Sequence, residues 1–432
     1  MKVSACLIAK NESKNIQRCL QSLMNVSDEI ILVDTGSTDD TVKIAKEQGA
    51  KVFPYKWDNN FANAKNYALN LAKGDWIVFL DADEYLEKST EKNLRQVLSQ
   101  IHSKKKYDTV QCRMIHTNGY KGNVISENPA IRIFRNDKQT RFEGAIHEKP
   151  LKNSKPLNSV LINNFELIIY HTGYELSILQ TKFKRNLALL KTQEKNNQID
   201  HMTYYYLSAS YSNLGRDDLA IKYAKLALEE PKMNKTTVAF KPYVFLIKGM
   251  FGMQGNVSKD ELETYVNKAL ELFPNHPEIW RLNAIHKKEK NQYQLAIESY
   301  NKALECHYTF DNKMLNDFPI YIEEVYSELA SLSYLVGNHT NVLEFYFRVL
   351  NINKKNKIAF EGLIEITKNQ NLEDVLFFLN SIYDKNNQWD LEFLALNLEK
   401  VNIYASLYYR RLLDLKLGIE NDDSIIIPEQ FN

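Results

Sequence analysis

The sequence predicts an α/β domain followed by an all-helical domain, and three observations carry that prediction. Through residue 175, strand-length apolar runs alternate with helix-length amphipathic segments. Two of the runs end abruptly in carboxylates, at Asp34 and at Asp81-Ala82-Asp83. Beyond residue 175 the strand signals stop, and a helical phrase returns at a fixed interval.

Val3 to Ala9 reads as the first strand, and Asn11-Glu12-Ser13 opens a helix from Lys14 to Met24 with Ile16, Cys19, Leu20 and Leu23 on one face. Glu29 to Asp34 is a second strand. Thr35 to Thr41 supplies a turn and cap residues for a helix from Val42 to Gln48, which Gly49 ends. Lys51 to Phe53 is a short strand, Phe61 to Lys73 a third helix, and Trp76 to Leu80 a buried strand. This alternation implies right-handed crossovers and a largely parallel sheet. Ligands of such sheets bind beyond the carboxyl ends of the strands, so Asp34 and Asp81 belong to one ligand-binding edge. A lone Asp-x-Asp also fits a solvated acidic turn. At a strand end, however, a Mg²⁺ or Mn²⁺ ion would relieve the repulsion between Asp81 and Asp83 and bring phosphate oxygens with it.

Val110 to Met114 and Ala130 to Arg135 read as further strands, joined by a polar loop through Thr117-Asn118-Gly119-Tyr120 and Lys121-Gly122-Asn123 that is expected to face an acceptor. Arg141-Phe-Glu-Gly-Ala-Ile-His147-Glu148-Lys149-Pro150 follows, then Leu167 to Tyr170 and His171-Thr-Gly-Tyr174. His147, Glu148 and His171 are the ionisable candidates of this part. A histidine beside apolar residues is more often structural than catalytic, so residue type alone leaves both readings open.

In the second half, Tyr204 to Tyr211, Leu214-Gly215-Arg216 and Leu219 to Pro231 make a helix-turn-helix phrase. Val266 to Pro274 and Tyr300 to Glu305 repeat its close, with Ala269 and Ala303 34 residues apart, the period of tetratricopeptide repeats. Leu335 to Asn338 with Tyr346 to Leu350 is a weaker copy. Ala220, Ala227, Ala269, Ala296 and Ala303 would let helices approach closely. The expected organisation is a catalytic domain at 1–175, a helical linker at 176–200, repeats at 201–385 and a helical segment with a tail at 386–432.

The 432 residues carry 55 basic and 54 acidic side chains, a net charge of +1 that gives no bulk support for a nucleic-acid or membrane-surface partner. Neither G-x-G-x-x-G nor a P-loop lysine motif is present, which disfavours dehydrogenases and P-loop kinases. Cys6, Cys19, Cys112 and Cys306 are widely spaced, unlike a zinc site or a secreted disulfide framework, so reduced thiols in a cytoplasm are expected.

Ala9-Lys-Asn11-Glu12, Asp34-Thr-Gly-Ser37-Thr-Asp-Asp-Thr41, Phe61-Ala-Asn-Ala-Lys65-Asn66 and Asp81-Ala82-Asp83 occur in this order and at suitable intervals. By these motifs the first 175 residues resemble the family 2 glycosyltransferases of the GT-A fold. The resemblance implies a UDP-sugar donor and a Mg²⁺ or Mn²⁺ ion. Glu12 and Asp34 would then touch the uridine, and Lys65 the uracil or diphosphate. Asp81 and Asp83 would bind nucleotide and metal, while Ala9, Asn11, Ser37 and Ala82 would complete the nucleotide-sugar site. Many relatives have arginine at Lys65, and a lysine keeps the charge without the planar fork.

R-F-x-G-x-I-H-E and Y-H-x-G-Y look like a branch of that family that includes lipopolysaccharide-core glucosyltransferases and sublancin-type (glycocin) peptide S-glycosyltransferases. This implies Glu148 as catalytic base and His171 as the last metal ligand, with exchange of roles between His147 and Glu148 left open. It further implies inverting transfer of a hexose, glucose before others, from UDP-glucose or a related UDP-sugar to a Cys or Ser side chain of a bacteriocin precursor peptide held by the repeats, by a homodimer. A cell-surface glycan or lipopolysaccharide-core acceptor is the enzymatic alternative. A scaffold that only binds nucleotide and partners is the alternative of another class.

Overall fold

The structure, a computed structural model, describes residues 1–419 except 118, 120, 121, 123, 161–166, 174–175, 197–198, 254–257, 311–313 and 368–369. Asn118, Tyr120, Lys121 and Asn123 of the loop expected to face the acceptor, Tyr174, and the tail at 425–432 therefore lie outside the described residues. The rest falls into two compact units, one made of 1–279 with 309–320, the other of 280–308 with 321–432.

The first unit opens with β1 (Val3–Ala9), α1 (Ile16–Met24), β2 (Glu29–Asp34), α2 (Thr41–Glu47), β3 (Lys51–Pro54), α3 (Phe61–Leu71) and β4 (Trp76–Phe79), as the alternation requires. It continues through β5 (Glu84–Leu86), α4 (Lys88–His102), β6 (Thr109–Thr117), β7 (Val124–Arg135), β8 (Thr140–Glu143), β9 (Lys149–Lys152), β10 (Lys155–Pro156), β11 (Ser159–Val160) and β12 (Ile168–His171). The main sheet runs β3-β2-β1-β4-β7-β6-β12-β5, with β11 beside β6. β3, β2, β1 and β4 are parallel, whereas β7 is antiparallel to both β4 and β6, and β5 to β12. The sheet is thus mixed but rich in parallel pairs. Side chains alternate along β1 as a strand demands: Val3, Ala5 and Leu7 join a core with Ile16, Leu20 and Leu94, while Cys6 joins the opposite core with Ala68, Leu69 and Phe79. All four cysteines are buried free thiols.

The same unit goes on with α5 (Leu176–Lys195), α6 (His201–Asn213), α7 (Asp217–Glu229), α8 (Lys241–Gly252) and α9 (Lys259–Leu272). Ile146, Leu190, Leu207, Tyr211, Ala220 and Tyr223 share one cluster, so α5, α6 and α7 pack on the segment that precedes Glu148. Lys241, on α8, is buried between Glu278 at 2.9 Å and Asp317 at 2.6 Å. The returning segment is fastened as well: Leu315 N donates to Thr237 O, and Asn316 bridges to Glu127 on β7.

The division between units falls within α10 (Pro277–Glu289). The second unit holds α11 (Tyr293–Tyr308), α12 (Ile322–Leu335), α13 (His339–Ile352), α14 (Lys357–Thr367), α15 (Leu372–Ile382), α16 (Gln388–Leu398) and α17 (Ile403–Leu417). Helices next to one another in sequence pack together here, α12 on α13, α13 on α14 and α16 on α17. The five alanines read as contact positions in the repeats of the two units are completely buried. At Gly362 a Cβ would meet the Tyr346 ring at 2.4 Å, so α14 approaches α13 as closely as glycine permits. Among the described residues no helix is long and apolar enough to cross a membrane.

Candidate active site

Parallel pairing of β2, β1 and β4 sends three strand ends to one edge. Asp34, ending β2, and Asp81, just past β4, stand two strands apart, about 10 Å at ordinary strand spacing. Ala9 ends β1 between them, its carbonyl accepting from Thr35 N at 2.9 Å and Thr35 Oγ1 at 3.1 Å. Asn11 has a φ of 56°, a left-handed conformation that asparagine tolerates. Its Oδ1 accepts from Thr38 N at 2.7 Å, and its N donates to Ser37 Oγ at 3.0 Å. Ser37 N donates to Asp34 Oδ1 at 3.1 Å, and Glu12 N to Thr41 Oγ1 at 2.7 Å. The two loops are therefore laced together, bringing Asn11, Glu12, Asp34 and Ser37 into one patch. Burial pushes the Glu12 carboxyl above its ordinary value against the Asn15 amide, and the charges of Asp83 and Asp81 add to the push.

A second group forms around Asp81, whose side chain remains 38% exposed. Lys65 Nζ lies 3.0 Å from Asp81 Oδ1 and 2.7 Å from Glu148 Oε1. Arg132 Nη2 is 3.4 Å from Asp81 Oδ2, while Arg132 grips Glu84 with two bonds of 2.7 and 2.8 Å. Burial works against the charge on Asp81, but Lys65 and Arg132 outweigh it and hold the carboxyl below the ordinary range. Burial likewise opposes the Lys65 ammonium, and Asp81 with Glu148 outweighs it and raises its pKa. Helix α3 builds this arrangement. Asn60 caps it by accepting from Asn63 N, Phe61 N donates to Ala145 O, and the Asn66 amide exchanges two 2.9 Å bonds with the Phe142 backbone. The chain leading to Glu148 is thereby held against Lys65.

The third group joins Asp83 to His171. β5 follows Asp83 at once and pairs antiparallel with β12, and Thr172 donates to the Asp83 carbonyl through both N and Oγ1 at 3.0 Å. His171 Nε2 is 3.4 Å from Asp83 Oδ2, and Lys182 Nζ, on α5, is 2.9 Å from the same oxygen. Burial would raise the Asp83 carboxyl, but His171 and Lys182 outweigh it and hold it well below the ordinary range. Burial alone would lower His171, and Asp83 raises it instead. Behind His171, its Nδ1 lies 2.9 Å from His116 Nδ1, and His116 Nε2 bonds to Asn128 Oδ1. An amide oxygen only accepts, so His116 Nε2 carries a proton and its Nδ1 accepts from His171, leaving His171 Nε2 directed at Asp83.

His147 and Glu148 part company. Glu148 joins Lys65, whereas His147, at a φ of 55°, stacks on the Tyr206 ring with centroids 3.5 Å apart. The residue stays exposed to solvent all the same. With Glu143, Leu190 and Thr203 it lines a cavity of about 300 Å³. Ala82 is buried between the two aspartates that flank it in sequence.

Four residues of these groups escape the sequence reading: Arg132, His116, Asn128 and Lys182. Arg132 carries a signal, a lone charge alternating with Ile131 and Ile133 in an apolar strand. Lys182 carries none, because its partner is 99 residues away.

Among the described residues no three His, Cys, Asp or Glu side chains converge as a ready metal cage. The donor set nevertheless fits a hard cation of the Mg²⁺ or Mn²⁺ type. Such ions are commonly held by one or two protein carboxylates while substrate phosphates and water complete the shell, and Asp83 with His171 supplies two donors on one side. A Cβ on Gly173 would fall 2.2 Å from Asp83 Oδ2 and 2.9 Å from His171 Nε2, so the glycine leaves that junction clear.

The profile of glycosyl transferase family 2 matches residues 4–154, which contain all the strand-end groups except His171 and Lys182. The SPbeta prophage-derived glycosyltransferase SunS of Bacillus subtilis (strain 168) is 29% identical over 237 residues, 53% of this chain and 54% of that protein. An uncharacterized glycosyltransferase of Rickettsia conorii is 34% identical over 165 residues, 38% of this chain and 55% of the relative. Among solved structures, S. aureus TarS is 17% identical, with 63% of this chain and 54% of that chain covered at a TM-score of 0.33. The chain spans about half the length of the curated relatives it matches. Residues 4–154 are a family 2 glycosyltransferase domain.

Proposed function

We propose that the protein is an inverting glycosyltransferase that moves a hexose, glucose, from UDP-glucose to a Cys or Ser side chain of a bacteriocin precursor peptide. The observation that carries transfer is the convergence of Asp81, Asp83, His171 and the Lys65–Glu148 pair at the strand ends of a family 2 domain. The peptide acceptor is supported by the similarity to SunS, whose 237 aligned residues exceed the matched domain. In this reading 1–175 is the catalytic domain, 176–200 a linker, 201–385 the repeats that hold the peptide, and 386–432 a closing segment. The enzyme acts in the cytoplasm as a homodimer.

Asn11, Glu12, Asp34 and Ser37 hold the uridine, with Ala9 and Ala82 shaping the floor. A Mg²⁺ or Mn²⁺ ion held by Asp83 and His171 would offset the charge that grows on the diphosphate as the sugar leaves. Glu148 accepts the proton of the acceptor thiol or hydroxyl while the sulfur or oxygen attacks the anomeric carbon and the bond to UDP breaks. Lys65 fixes that carboxylate and Asp81 in one frame. A thiol, with a pKa near about 8.5, asks less of Glu148 than a hydroxyl does. The test is intact mass of a helical-hairpin peptide with one loop cysteine, and of its serine twin, after incubation with enzyme, UDP-glucose and Mn²⁺. Gain of one hexose on the cysteine peptide is expected. Hydrolysis of UDP-glucose without peptide modification would move the acceptor to a glycan, and silence on both counts would leave the nucleotide-binding scaffold.

A further inference from the structure

The motif residues do not account for Lys182. It sits on α5, outside the matched family segment, yet its ammonium reaches the Asp83 oxygen that His171 also faces, and lies 3.4 Å from the Gly173 carbonyl. A Cβ on Gly173 would stand 2.8 Å from Lys182 Nζ as well as against Asp83 and His171, so one small space is shared by all three groups. Arg185, one helical turn on, lies over the Phe61 ring at 5.1 Å, and burial there lowers its pKa against the charges of Glu12, Asp83 and Glu148.

An ammonium and a divalent cation compete for one carboxylate, since their charges repel at the short separation that sharing it imposes. The Lys182 side chain is 28% exposed and long enough to re-aim its charge without moving the helix. Once displaced, the ammonium is left beside whatever anion arrives with the metal. We infer that Lys182 is a resident counter-ion of this site: it neutralises Asp83 in the free protein and passes to the diphosphate oxygens when the metal and nucleotide bind together. The inference rests on the metal and UDP reading given above. Its consequence is coupling, since metal alone must displace the lysine, whereas metal with UDP gives the lysine a new partner.

The experiment measures Mn²⁺ binding from the loss of the free-ion electron paramagnetic resonance signal, with and without saturating UDP. It uses the full chain and its Lys182→Met and Lys182→Arg variants, with thermal unfolding to establish that each is folded and Lys182→Gln in reserve. The wild type should bind Mn²⁺ more tightly when UDP is present. Lys182→Met should bind Mn²⁺ alone about tenfold more tightly, as expected for removal of one competing charge from a partly wet site, and should lose most of the gain from UDP. Lys182→Arg should keep the coupling. Unchanged or weaker binding of Mn²⁺ alone by a folded Lys182→Met would overturn the inference while leaving the metal reading intact. A wild type that binds no Mn²⁺ even with UDP would overturn the metal reading, and the inference with it.

Discussion

Two buried lysines in the first unit make nearly the same triad in different settings. Lys65 bridges Asp81 and Glu148 at the strand ends, and Lys241 bridges Glu278 and Asp317 beneath α8. Each side chain is only 7% exposed, and each ammonium is kept charged by its acids against the pull of burial. The difference lies in the anions. Each triad keeps one acid partly open, Asp81 at 38% and Asp317 at 27%, but Asp81 is shared with Arg132 and set beside Asp83 and Glu12, whereas Glu278 has no exposed side-chain surface and also meets Lys248 at 3.5 Å. A buried charge triad by itself therefore marks neither catalysis nor stability. What separates the two is whether the open acid stands among further acids at the strand-end edge.

The sharpest division should come from Asp83→Ala, which removes a carboxylate of the open group. Turnover should fall on the order of 10³-fold with unchanged near-ultraviolet circular dichroism. Glu148→Gln should lower turnover by roughly 10²-fold or more while calorimetry finds UDP affinity preserved. Normal turnover would remove Glu148 from the base role. The lysines themselves come next. Lys241→Met should cost about 3–5 kcal/mol in urea unfolding, because Glu278 is left buried and Asp317 partly buried without their cation, yet leave turnover of the folded fraction within about twofold. Lys65→Met should lose both stability and turnover. If Lys241→Met also abolished turnover of folded protein, the distinction between the triads would fail.

The smallest effect expected is on pH dependence, and it spans both regions. Burial pulls His116 near the open group, and His276 near the closed one, to about 4. An unfolded histidine titrates near about 6.5, so the unfolded chain binds more protons between the two values. The contribution of His116 and His276 should be level above pH 6.5 and fall as the pH drops towards 4, by on the order of 2 kcal/mol for each, whereas His171, raised by Asp83, loses its contribution as the pH climbs past 6.5. Urea unfolding at intervals across that window measures the slope. His276→Gln should lessen it without altering turnover.

The open group was the more legible of the two in sequence, but only its part carried by contiguous motifs. The strands and helices from β1 to β4 follow from period alone, and Asp34, Asp81 and Asp83 stand out as charges closing apolar runs. β5 is hidden because three residues directly after an acidic tripeptide give no alternation to read. α4 opens on Lys88-Ser-Thr-Glu-Lys92, which obscures Leu94, Val97, Leu98 and Ile101 on its buried face. His116 meets His171 only through the parallel register of β6 and β12, a long-range pairing that neither segment announces. The stretch from Trp389 to Leu417 reads as helical and holds two helices, with Asn402 capping the second. In the repeats the alanines were legible because small residues at fixed intervals have one use in stacked helices. Lys241 was not, since its acids lie 37 and 76 residues away.

The return of 309–320 to the first unit bears on how the polypeptide matures as it leaves the ribosome. Domains ordinarily fold as units, amino-terminal first. Here Asp317 and the bridge from Asn316 to Glu127 do not exist until α11 of the other unit has already been synthesised. A nascent chain halted before residue 309 should hold Lys241 against Glu278 without its second acid, and should be cut by protease more readily than one halted beyond residue 320. Completion of the catalytic half would then be timed by translation of the helical half.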